Sequence, residues 1–347
     1  MRSLRHALLA ISLALCGAVH ASSVETVAPN AEVELGRKVF IDANLSRDGR
    51  VSCQTCHDPA HAYADPHPRS IGVNGTVGTR NAPSLLDVAS YDAFFWDGRR
   101  TSLGDAVLDP FTNPAELGLR SADEAISRLL RESWAPKAFE TAYPHEHPAI
   151  SIAHVRDALV AFIRSLDVAK DSVGSRHKTR QLDPIAQLGR TVFEGIGGCI
   201  ECHPMKGREA RLSDGSYHRS GIGDSNIAAK LPALTTMVVS MQIDSNSIGP
   251  RVLHDADWSA LGRFVVSKRP LDVMAFRTPS LRNVALTAPY MHDGSIATLA
   301  EAIDHEIYYH SIGRPSMPHI SADERLAVRI FLETLDDDSA SGSPTKP

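Results

Sequence analysis

The sequence predicts a mainly α-helical protein built from two related halves, and three observations support this prediction. The hexapeptide at residues 35–40, LGRKVF, returns at residues 188–193 as LGRTVF. Each copy is followed by a pentapeptide of the form Cys-x-x-Cys-His. Apolar residues recur at three- and four-residue intervals over several segments, as in amphipathic helices. A unit that repeats in this order indicates two domains of one kind.

The two pentapeptides indicate the chemistry of the chain. Cys-x-x-Cys-His is the spacing at which c-type haem is attached, with both thiols bonded to the haem and the His placed to bind its iron. The attachment residues would be Cys53, Cys56 and His57 in the first half and Cys199, Cys202 and His203 in the second. We therefore expect two cytochrome c-like domains packed around two covalent c-type haems, and a redox function.

Other interpretations of these cysteines are a structural zinc site, a disulfide and a thioredoxin-like motif. Zinc sites usually have further Cys or His ligands at short spacing, and no third Cys lies near either pentapeptide. A thioredoxin-like motif does not need the trailing His. The fifth cysteine of the chain, Cys16, lies in a segment that we expect to be removed. The pattern thus favours haem.

The first 21 residues are typical of a secretory signal peptide. Basic residues precede an apolar run at residues 7–19, and cleavage is expected after Ala21. The run is too short to span a bilayer. Leu15 before Cys16 fits a lipoprotein cleavage site poorly, which favours a product without a lipid anchor. We expect a periplasmic protein that is not embedded in the membrane.

Composition and charge fit a globular protein without a nucleic-acid partner. The formal net charge is −5 over 347 residues, and 43% of the residues are hydrophobic. A polar, charged stretch separates the two halves and suits a linker. The predicted divisions are a signal peptide at 1–21, an N-terminal cytochrome c-like domain at 22–170, a linker at 171–183, a C-terminal cytochrome c-like domain at 184–336 and a disordered tail at 337–347.

Capping patterns justify several helices in chain order. Ser121 and Glu124 form a capping-box pattern before an apolar face, and Ser321 and Glu324 do the same near the C-terminus. Residues 152–166 carry an apolar stripe with the helical period. These signals extend the helical assignment through both halves.

One long segment lacks such signals. Residues 207–270 are rich in Gly, Ser and Asp, and their apolar residues show little periodicity. We therefore expect loops and short elements there.

Three longer motifs resemble those of bacterial dihaem cytochrome c peroxidases. They are FRTPSLRNVALTAPYMHDG at residues 276–294, RNAPSL at residues 80–85 and FWDGR at residues 95–99. The resemblance extends over essentially the whole mature chain, with the motifs in the family's order. The family includes ordinary peroxidases and MauG-type enzymes, which oxidise residues of a partner protein. The resemblance implies a peroxide site at the first haem and an electron-transfer site at the second.

The resemblance also implies roles for individual residues. His57 would hold the peroxidatic iron and His203 the electron-transfer iron, with Trp96 between the haems as an electron relay. Glu116 matches the family's distal glutamate, and Pro110 matches a proline that lines the same pocket. A carboxylate above the haem could take a proton from peroxide and return it to the leaving oxygen. A core Trp96 and a surface Glu116 are the purely structural alternatives.

The chain departs from the ordinary peroxidases at two positions. Their loop after the first haem has a His that caps the resting iron, whereas this chain has Val73 there. Valine cannot bind iron, so the first haem should be open, as in MauG-type enzymes, unless His61 or His67 substitutes. The family's distal glutamine falls on Ala106, which removes a hydrogen-bond donor.

The sixth ligand of the second haem is expected on the segment after the long C-terminal motif. Ordinary members have Met there and MauG-type members have Tyr, whereas ungapped counting reaches Glu306. Tyr309 is the next candidate, and a shift of register would also admit Tyr308 or His310. Met291 falls where the family has a structural apolar residue. An anionic oxygen ligand would favour ferric iron and lower the potential.

A bound Ca²⁺ between the domains is a further implication of the resemblance. Its ligands would be the side chain of Asn81 and the backbone carbonyls of Thr287 and Pro289. Hard oxygen ligands suit calcium. Taken alone, the sequence would assign these residues to turns.

Two classes of function follow from these observations. The first is a dihaem enzyme that reduces hydrogen peroxide with electrons from a small cytochrome c or cupredoxin, which is cytochrome-c peroxidase activity. Within this class, a MauG-type enzyme would instead oxidise Tyr or Trp of a protein substrate, and Val73 and the missing Met favour it. The second class is a non-enzymatic dihaem electron carrier, which Glu116 and Trp96 argue against. Failure to react with peroxide would support the carrier.

Overall fold

The computed structural model describes residues 31–166, 182–205, 211–242, 245–312, 314 and 319–336. The predicted signal peptide, most of the predicted linker and the predicted C-terminal tail lie outside these residues. The described chain is mainly helical, which confirms the predicted class. None of its helices is both long and apolar enough to cross a membrane.

The N-terminal half is organised around one close pair of helices. The first helix packs along the sixth because Gly36 has no side chain where the carbonyl of Ala158 approaches, and a Cβ there would overlap it. Phe40 and Phe162 close the same contact, with 5.0 Å between their ring centroids. The helices are α1 Ala31–Ile41, α2 Cys53–Cys56, α3 Leu103–Thr112, α4 Ala122–Leu129, α5 Ala135–Ala142 and α6 Ile152–Ser165.

The same helix pair recurs in the C-terminal half. Helix α7, Pro184–Glu194, packs along the last helix, Ala322–Glu333. Gly189 here meets the carbonyl of Ala327 as Gly36 meets that of Ala158. The repeated hexapeptide therefore encodes a repeated close contact between helices, in which glycine is required by space.

Residues 207–270, for which we expected loops and short elements, contain helices with a core of their own. Trp258, Leu261 and Phe264 are almost fully buried in this core. The helices are short or contain a proline, so their apolar residues produce little periodicity over a long window. They are α8 Asp224–Ile227, α9 Leu231–Ser240, α10 Ser245–His254, α11 Ala256–Ala260 and α12 Phe264–Ser267.

The remaining elements complete the second half. Helix α13, Leu299–Ser311, precedes α14, the last helix Ala322–Glu333 already described. A two-stranded antiparallel sheet joins β1, Tyr217–His218, to β2, Phe276–Arg277. This small sheet lies where the two halves meet, because the backbone N–H of Arg277 donates to the carbonyl of Trp96 at 2.9 Å.

Helix caps follow the predicted pattern with one difference. At α14 the hydroxyl of Ser321 accepts from the backbone N–H of Glu324, whose carboxylate accepts in return from the N–H of Ser321. At α4 the hydroxyl of Ser121 accepts from the N–H of Glu124. The Glu124 carboxylate, however, bonds Arg120 and Arg128 instead of closing the box.

Candidate functional site

In the first pentapeptide, one ring nitrogen of His57 is hydrogen-bonded and the other is available to a ligand. Helix α2 spans the two cysteines, and His57 follows as its C-cap. The ring Nδ1 lies 3.0 Å from the carbonyl oxygen of Tyr63, which can only accept, so Nδ1 carries the proton. Burial lowers the pKa of His57 and keeps the imidazole neutral. Its Nε2 is thus left as a metal ligand of the usual kind.

The second pentapeptide has the same arrangement. Cys199 begins a short 3-10 turn and Cys202 follows as its C-cap, and Nδ1 of His203 is 2.6 Å from the carbonyl oxygen of Leu212. Burial lowers the pKa of His203 as well. Two sites thus present a neutral imidazole oriented by a backbone carbonyl. This similarity supports a common ligand.

The four pentapeptide cysteines form no disulfides. Burial raises the pKa of Cys53, Cys56 and Cys199 to about 12 in each case. A reactive thioredoxin-like cysteine has a depressed pKa instead. The structure therefore disfavours that alternative interpretation.

A cavity of about 270 Å³ opens beside the second pentapeptide and reaches residues of both halves. Its walls are mostly apolar, and helix α13 contributes residues 299, 302, 303, 306, 307 and 310 as one helical face. The arginines among the lining residues are Arg219, Arg277 and Arg282. Nη1 of Arg277 is buried and has no hydrogen-bond partner. Apolar walls with cations suit a large planar group that carries carboxylates, and haem is such a group.

Glu306 lines this cavity, whereas Tyr309 is not among the lining residues. Burial raises the pKa of Glu306, and the negative charge of this carboxyl raises that of the Cys199 thiol. The ring of Tyr309 packs against Gly221 and stacks with His305. Tyr308 is two-thirds exposed. The structure therefore brings Glu306, rather than either tyrosine, to the second pentapeptide.

His310 and Met291 also line the cavity. The Nε2 of His310, however, lies 2.6 Å from a guanidinium nitrogen of Arg314. Arg314 in turn pairs with Glu201 at 3.1 Å. His310 is therefore held in an ion-pair cluster at the end of the helix.

Glu116 faces the first pentapeptide from a loop after α3. The backbone N–H of Glu116 donates to the carbonyl of Asn113, and its own carbonyl accepts from the N–H of Val73. Its carboxyl raises the pKa of both Cys53 and Cys56, so it lies close to them. Atom Oε2 is buried without a hydrogen-bond partner. A buried, unpaired carboxyl oxygen at this place suits a group that exchanges protons with a ligand.

Burial raises the pKa of Glu116 to about 7. The positive charge of Arg99 opposes this rise, and the negative charge of Asp109 adds to it. The carboxyl can therefore both give and take a proton near neutral pH. Pro110 lies within α3, where its carbonyl accepts from the N–H of Leu117, so it supports the loop that carries Glu116. Ala106 is buried on the same helix.

Val73 is buried beside Glu116. It packs so closely on Gly118 that a Cβ added to this glycine would lie only 2.7 Å from Cγ2 of Val73. His61 and His67 are half exposed, and each ring pairs through Nδ1 with an acid at 3.0 Å. Their partners are Asp58 and Asp65. Both histidines are thus bound to carboxylates, and the Val73 side chain has no group that could bind iron.

Trp96 connects the two halves. Its indole N–H donates to the carbonyl of Asn81 at 2.9 Å, and the ring lines the cavity. The next residue, Asp97, is fully buried and pairs with Arg80 at 2.6 Å and Arg99 at 3.2 Å. Sequence reasoning missed this buried ion network. Asp97 lies in the FWDGR motif and Arg80 in the RNAPSL motif, but neither motif indicates that the two side chains pair.

The predicted calcium ligands Asn81, Thr287 and Pro289 all line the same cavity. The side-chain nitrogen of Asn81 donates to the carbonyls of Asp65 and His67, which leaves its oxygen available. Among the described His, Cys, Asp and Glu side chains, the one grouping compact enough for a metal is Cys202, Asp214 and His218. That grouping lies at the second pentapeptide and not at the predicted calcium site.

Comparisons with known proteins agree with this geometry. The sequence profile described as "Di-haem cytochrome c peroxidase" matches residues 30–178. Cytochrome-c peroxidase IdrP2 of Denitromonas iodatirespirans is 32% identical over 92% of this chain and 84% of that protein. The methylamine utilization protein MauG of Methylorubrum extorquens is 31% identical over 88% of this chain and 78% of that protein.

Solved structures show the same relationship. A MauG-like protein associated with microbial copper homeostasis is 29% identical, with a TM-score of 0.71 over 90% of this chain and 91% of its own. The diheme peroxidase BthA of Burkholderia thailandensis is 20% identical, with a TM-score of 0.66 over 92% and 89% of the two chains, and shares the fold. The fold and sites define a haem-dependent oxidoreductase of the peroxidase type. The chain belongs to the dihaem cytochrome c peroxidase and MauG family.

Proposed function

We propose that this protein is a periplasmic dihaem c-type oxidoreductase that reduces hydrogen peroxide at an open first haem. Electrons would reach that haem through the second haem from a small cytochrome c or cupredoxin. The observation that carries the proposal is the buried Oε2 of Glu116, which faces the first pentapeptide without a partner. Val73 beside it offers no ligand to iron.

The residues present fit two covalent haems. Cys53, Cys56 and His57 would hold the first within the N-terminal domain, 22–170. The residues for the second, in the C-terminal domain at 184–336, would be Cys199, Cys202 and His203. When bound, the haem irons supply the electron-transfer chemistry by which peroxide, two protons and two electrons become two water molecules. The linker at 171–183 would join the two domains.

Glu116 would accept and donate a proton in this reaction. Because its pKa is about 7, its carboxylate can accept a proton from the oxygen of peroxide nearer the haem. The resulting carboxylic acid can then donate that proton to the departing oxygen. Asn113 and Val73 hold the loop through backbone hydrogen bonds, so the carboxyl keeps its position while its charge changes. Pro110 supports the same loop.

Trp96 and Glu306 would set the path of electrons. Trp96 touches both halves and borders the cavity, so its indole can relay an electron between the two haem sites. Glu306 would be the sixth ligand of the second haem, since Tyr309 packs against Gly221 instead. Ca²⁺ held by Asn81, Thr287 and Pro289 would stiffen the junction.

A MauG-type reaction is the second candidate, and Val73 favours it. An iron that is open at rest can react with peroxide before any electron donor arrives, so the oxidising power can be directed to Tyr or Trp of a partner protein. The MauG relatives are consistent with this candidate. A simple electron carrier would have no use for the buried acid Glu116.

The test is to add hydrogen peroxide to the fully oxidised, donor-free protein and follow its optical and EPR spectra. Rapid loss of a high-spin ferric signal would support an open first haem, and a product that persists without donor would favour the MauG-type reaction. Reaction only after one haem is reduced would contradict the proposal that Val73 leaves the first iron open. No reaction in either redox state would support the electron carrier.

A matched pair of variants sharpens this test. Val73→His restores a possible iron ligand at the buried position and should convert the high-spin signal to low spin. Val77→His is the control, because Val77 is 57% exposed on the same loop. Its spectrum should match that of the unaltered protein. An unchanged high-spin signal in Val73→His would show that residue 73 does not reach the iron.

A further inference from the structure

Arg277 differs from the other two arginines of the cavity. Arg219 pairs with Asp224 and Arg282 pairs with Asp87, each at 2.7 Å. Within the described residues, no carboxylate lies within ion-pair distance of Arg277. The residue is only 4% exposed, and its Nη1 has no hydrogen-bond partner. It is a buried cation without an anion.

The surroundings of Arg277 fix its side chain in place. Its backbone N–H donates to Trp96 O at 2.9 Å, and its Nε donates to Phe95 O at 3.3 Å. The guanidinium carbon lies 4.1 Å from the ring centroid of Tyr91. Strand pairing with Tyr217 holds the backbone. The head group therefore cannot turn out to water without breaking these contacts.

A buried charge with only neutral partners is unfavourable, and an unpaired buried N–H adds to the cost. The cavity that Arg277 lines is the one beside Cys199, Cys202 and His203. A haem attached there brings two propionate carboxylates, which are the planar anions that a guanidinium binds best. An anion is thus required at the place where the proposed cofactor would supply one.

We propose that Nη1 of Arg277 binds a propionate carboxylate of the second haem and ties this haem to the Phe95–Trp96 backbone. The inference rests on the proposed attachment of a haem at Cys199 and Cys202. Arg277 is then a positioning residue, because it acts on the electron path through the backbone of Trp96. Its positive charge also offsets the negative propionate and raises the reduction potential of the second haem.

The test is a potentiometric titration of the haem-loaded protein and three variants. Arg277→Gln should lower the midpoint potential of the second haem, because the uncompensated carboxylate favours ferric iron. A tenfold change in the oxidised-to-reduced ratio corresponds to about 59 mV for one electron, and we expect a shift of this order. Arg277→Lys should restore most of the potential. Arg190→Gln is the control and should leave the potential unchanged, since Arg190 is not among the cavity-lining residues and already pairs with Glu194.

The outcomes separate this inference from the proposed function. An unchanged potential in Arg277→Gln, with two haems attached by mass, would overturn the inference alone. A protein that carries only one haem would overturn the proposed function instead. Should Arg277→Gln fail to fold, a crystal structure of the unaltered holoprotein decides. A propionate oxygen within hydrogen-bond distance of Nη1 supports the inference, and a solvent anion or no anion there overturns it.

Discussion

The two pentapeptide sites are alike in how their histidine is held and different in the segments that face the cysteines from the opposite side. In both, a neutral imidazole is oriented by a backbone carbonyl, at 3.0 Å for His57 and 2.6 Å for His203. In both, a glutamate with a raised pKa faces the cysteines, although Glu116 is half-buried and Glu306 is exposed. Glu116, however, lies on a loop, whereas Glu306 lies on helix α13.

This difference shows how one sequence unit can serve two purposes. The histidine side of each site is encoded within a few residues of the pentapeptide, so it accompanies each copy of the motif. The opposite side comes from segments that are distant in the sequence. In the proposed function, Val73 would leave the first site open and Glu116 would transfer its proton. At the second site Glu306, on helix α13, would be the metal ligand.

The largest expected effect distinguishes the two glutamates. Glu116→Gln keeps the shape of the side chain but removes its basic oxygen, and should slow peroxide reduction by about 10²–10⁴-fold. Glu306→Gln should leave the initial reaction of the first haem with peroxide nearly unchanged and alter the spectrum of the second haem. Stopped-flow spectroscopy measures both. Equal losses of the initial rate in the two variants would contradict separate roles.

Stability should depend on pH through Glu116. Its pKa in the folded protein, about 7, lies above the usual value of 4.5, so the folded state binds more protons between these limits. The free energy of unfolding should therefore fall as pH rises from about 4.5 to about 7. At 1.36 kcal/mol per pKa unit, the loss is roughly 3 kcal/mol. Urea titrations at several pH values test this. The variant Glu116→Gln should lose this part of the pH dependence of the unfolding free energy.

The rate of peroxide reduction should also depend on the protonation state of Glu116. If Glu116 must accept a proton first, the rate at limiting peroxide should rise with pH and level off above about 7. Glu116→Gln should remove this dependence. A rate that falls through the same range would mean that the protonated form is the one required.

Substitutions in the two repeated helix pairs should have a smaller effect, on stability. Gly36→Ala and Gly189→Ala each place a methyl group against a backbone carbonyl that cannot move without separating two helices. Each should cost roughly 1–3 kcal/mol of stability. Gly78→Ala is a control, since its Cβ would have ordinary contact at 3.5 Å. Thermal or urea unfolding measures all three, and a neutral Gly189→Ala would show that the two pairs are not equivalent.

Helix capping should have the smallest effect. Ser321→Ala breaks a complete capping box at α14 and should cost about 1 kcal/mol. Ser121→Ala at α4 should cost no more, because Glu124 there already bonds two arginines. A larger loss at Ser121 would mean that the arginine contacts depend on the cap.

The sequence predicted those features that depend on neighbouring residues. The pentapeptides, the repeated glycine of residues 35–40 and 188–193 and the cap at Ser321 are all local patterns. The helices between residues 224 and 267 escaped prediction because they are short and because Pro250 lies inside one of the two longest. Their core forms only when several of them pack together.

Parts of the site needed three-dimensional information for a different reason. Glu306 and Tyr309 are close in sequence, but only the packing of α13 shows which of them borders the cavity. The buried pairing of Asp97 with Arg80 depends on how the first half folds, and the surroundings of Arg277 depend on contacts between the two halves. No periodicity or spacing in the chain reports such contacts.

The most direct test of the account is the EPR spectrum of the fully oxidised, haem-loaded protein at rest, compared with that of Glu306→Gln. We expect one high-spin ferric haem at the open first site and one low-spin haem at the second. The variant should change only the low-spin signal. Two low-spin haems at rest, or a variant that alters the high-spin signal alone, would contradict the assignment of an open site beside Glu116 and a closed site beside Glu306.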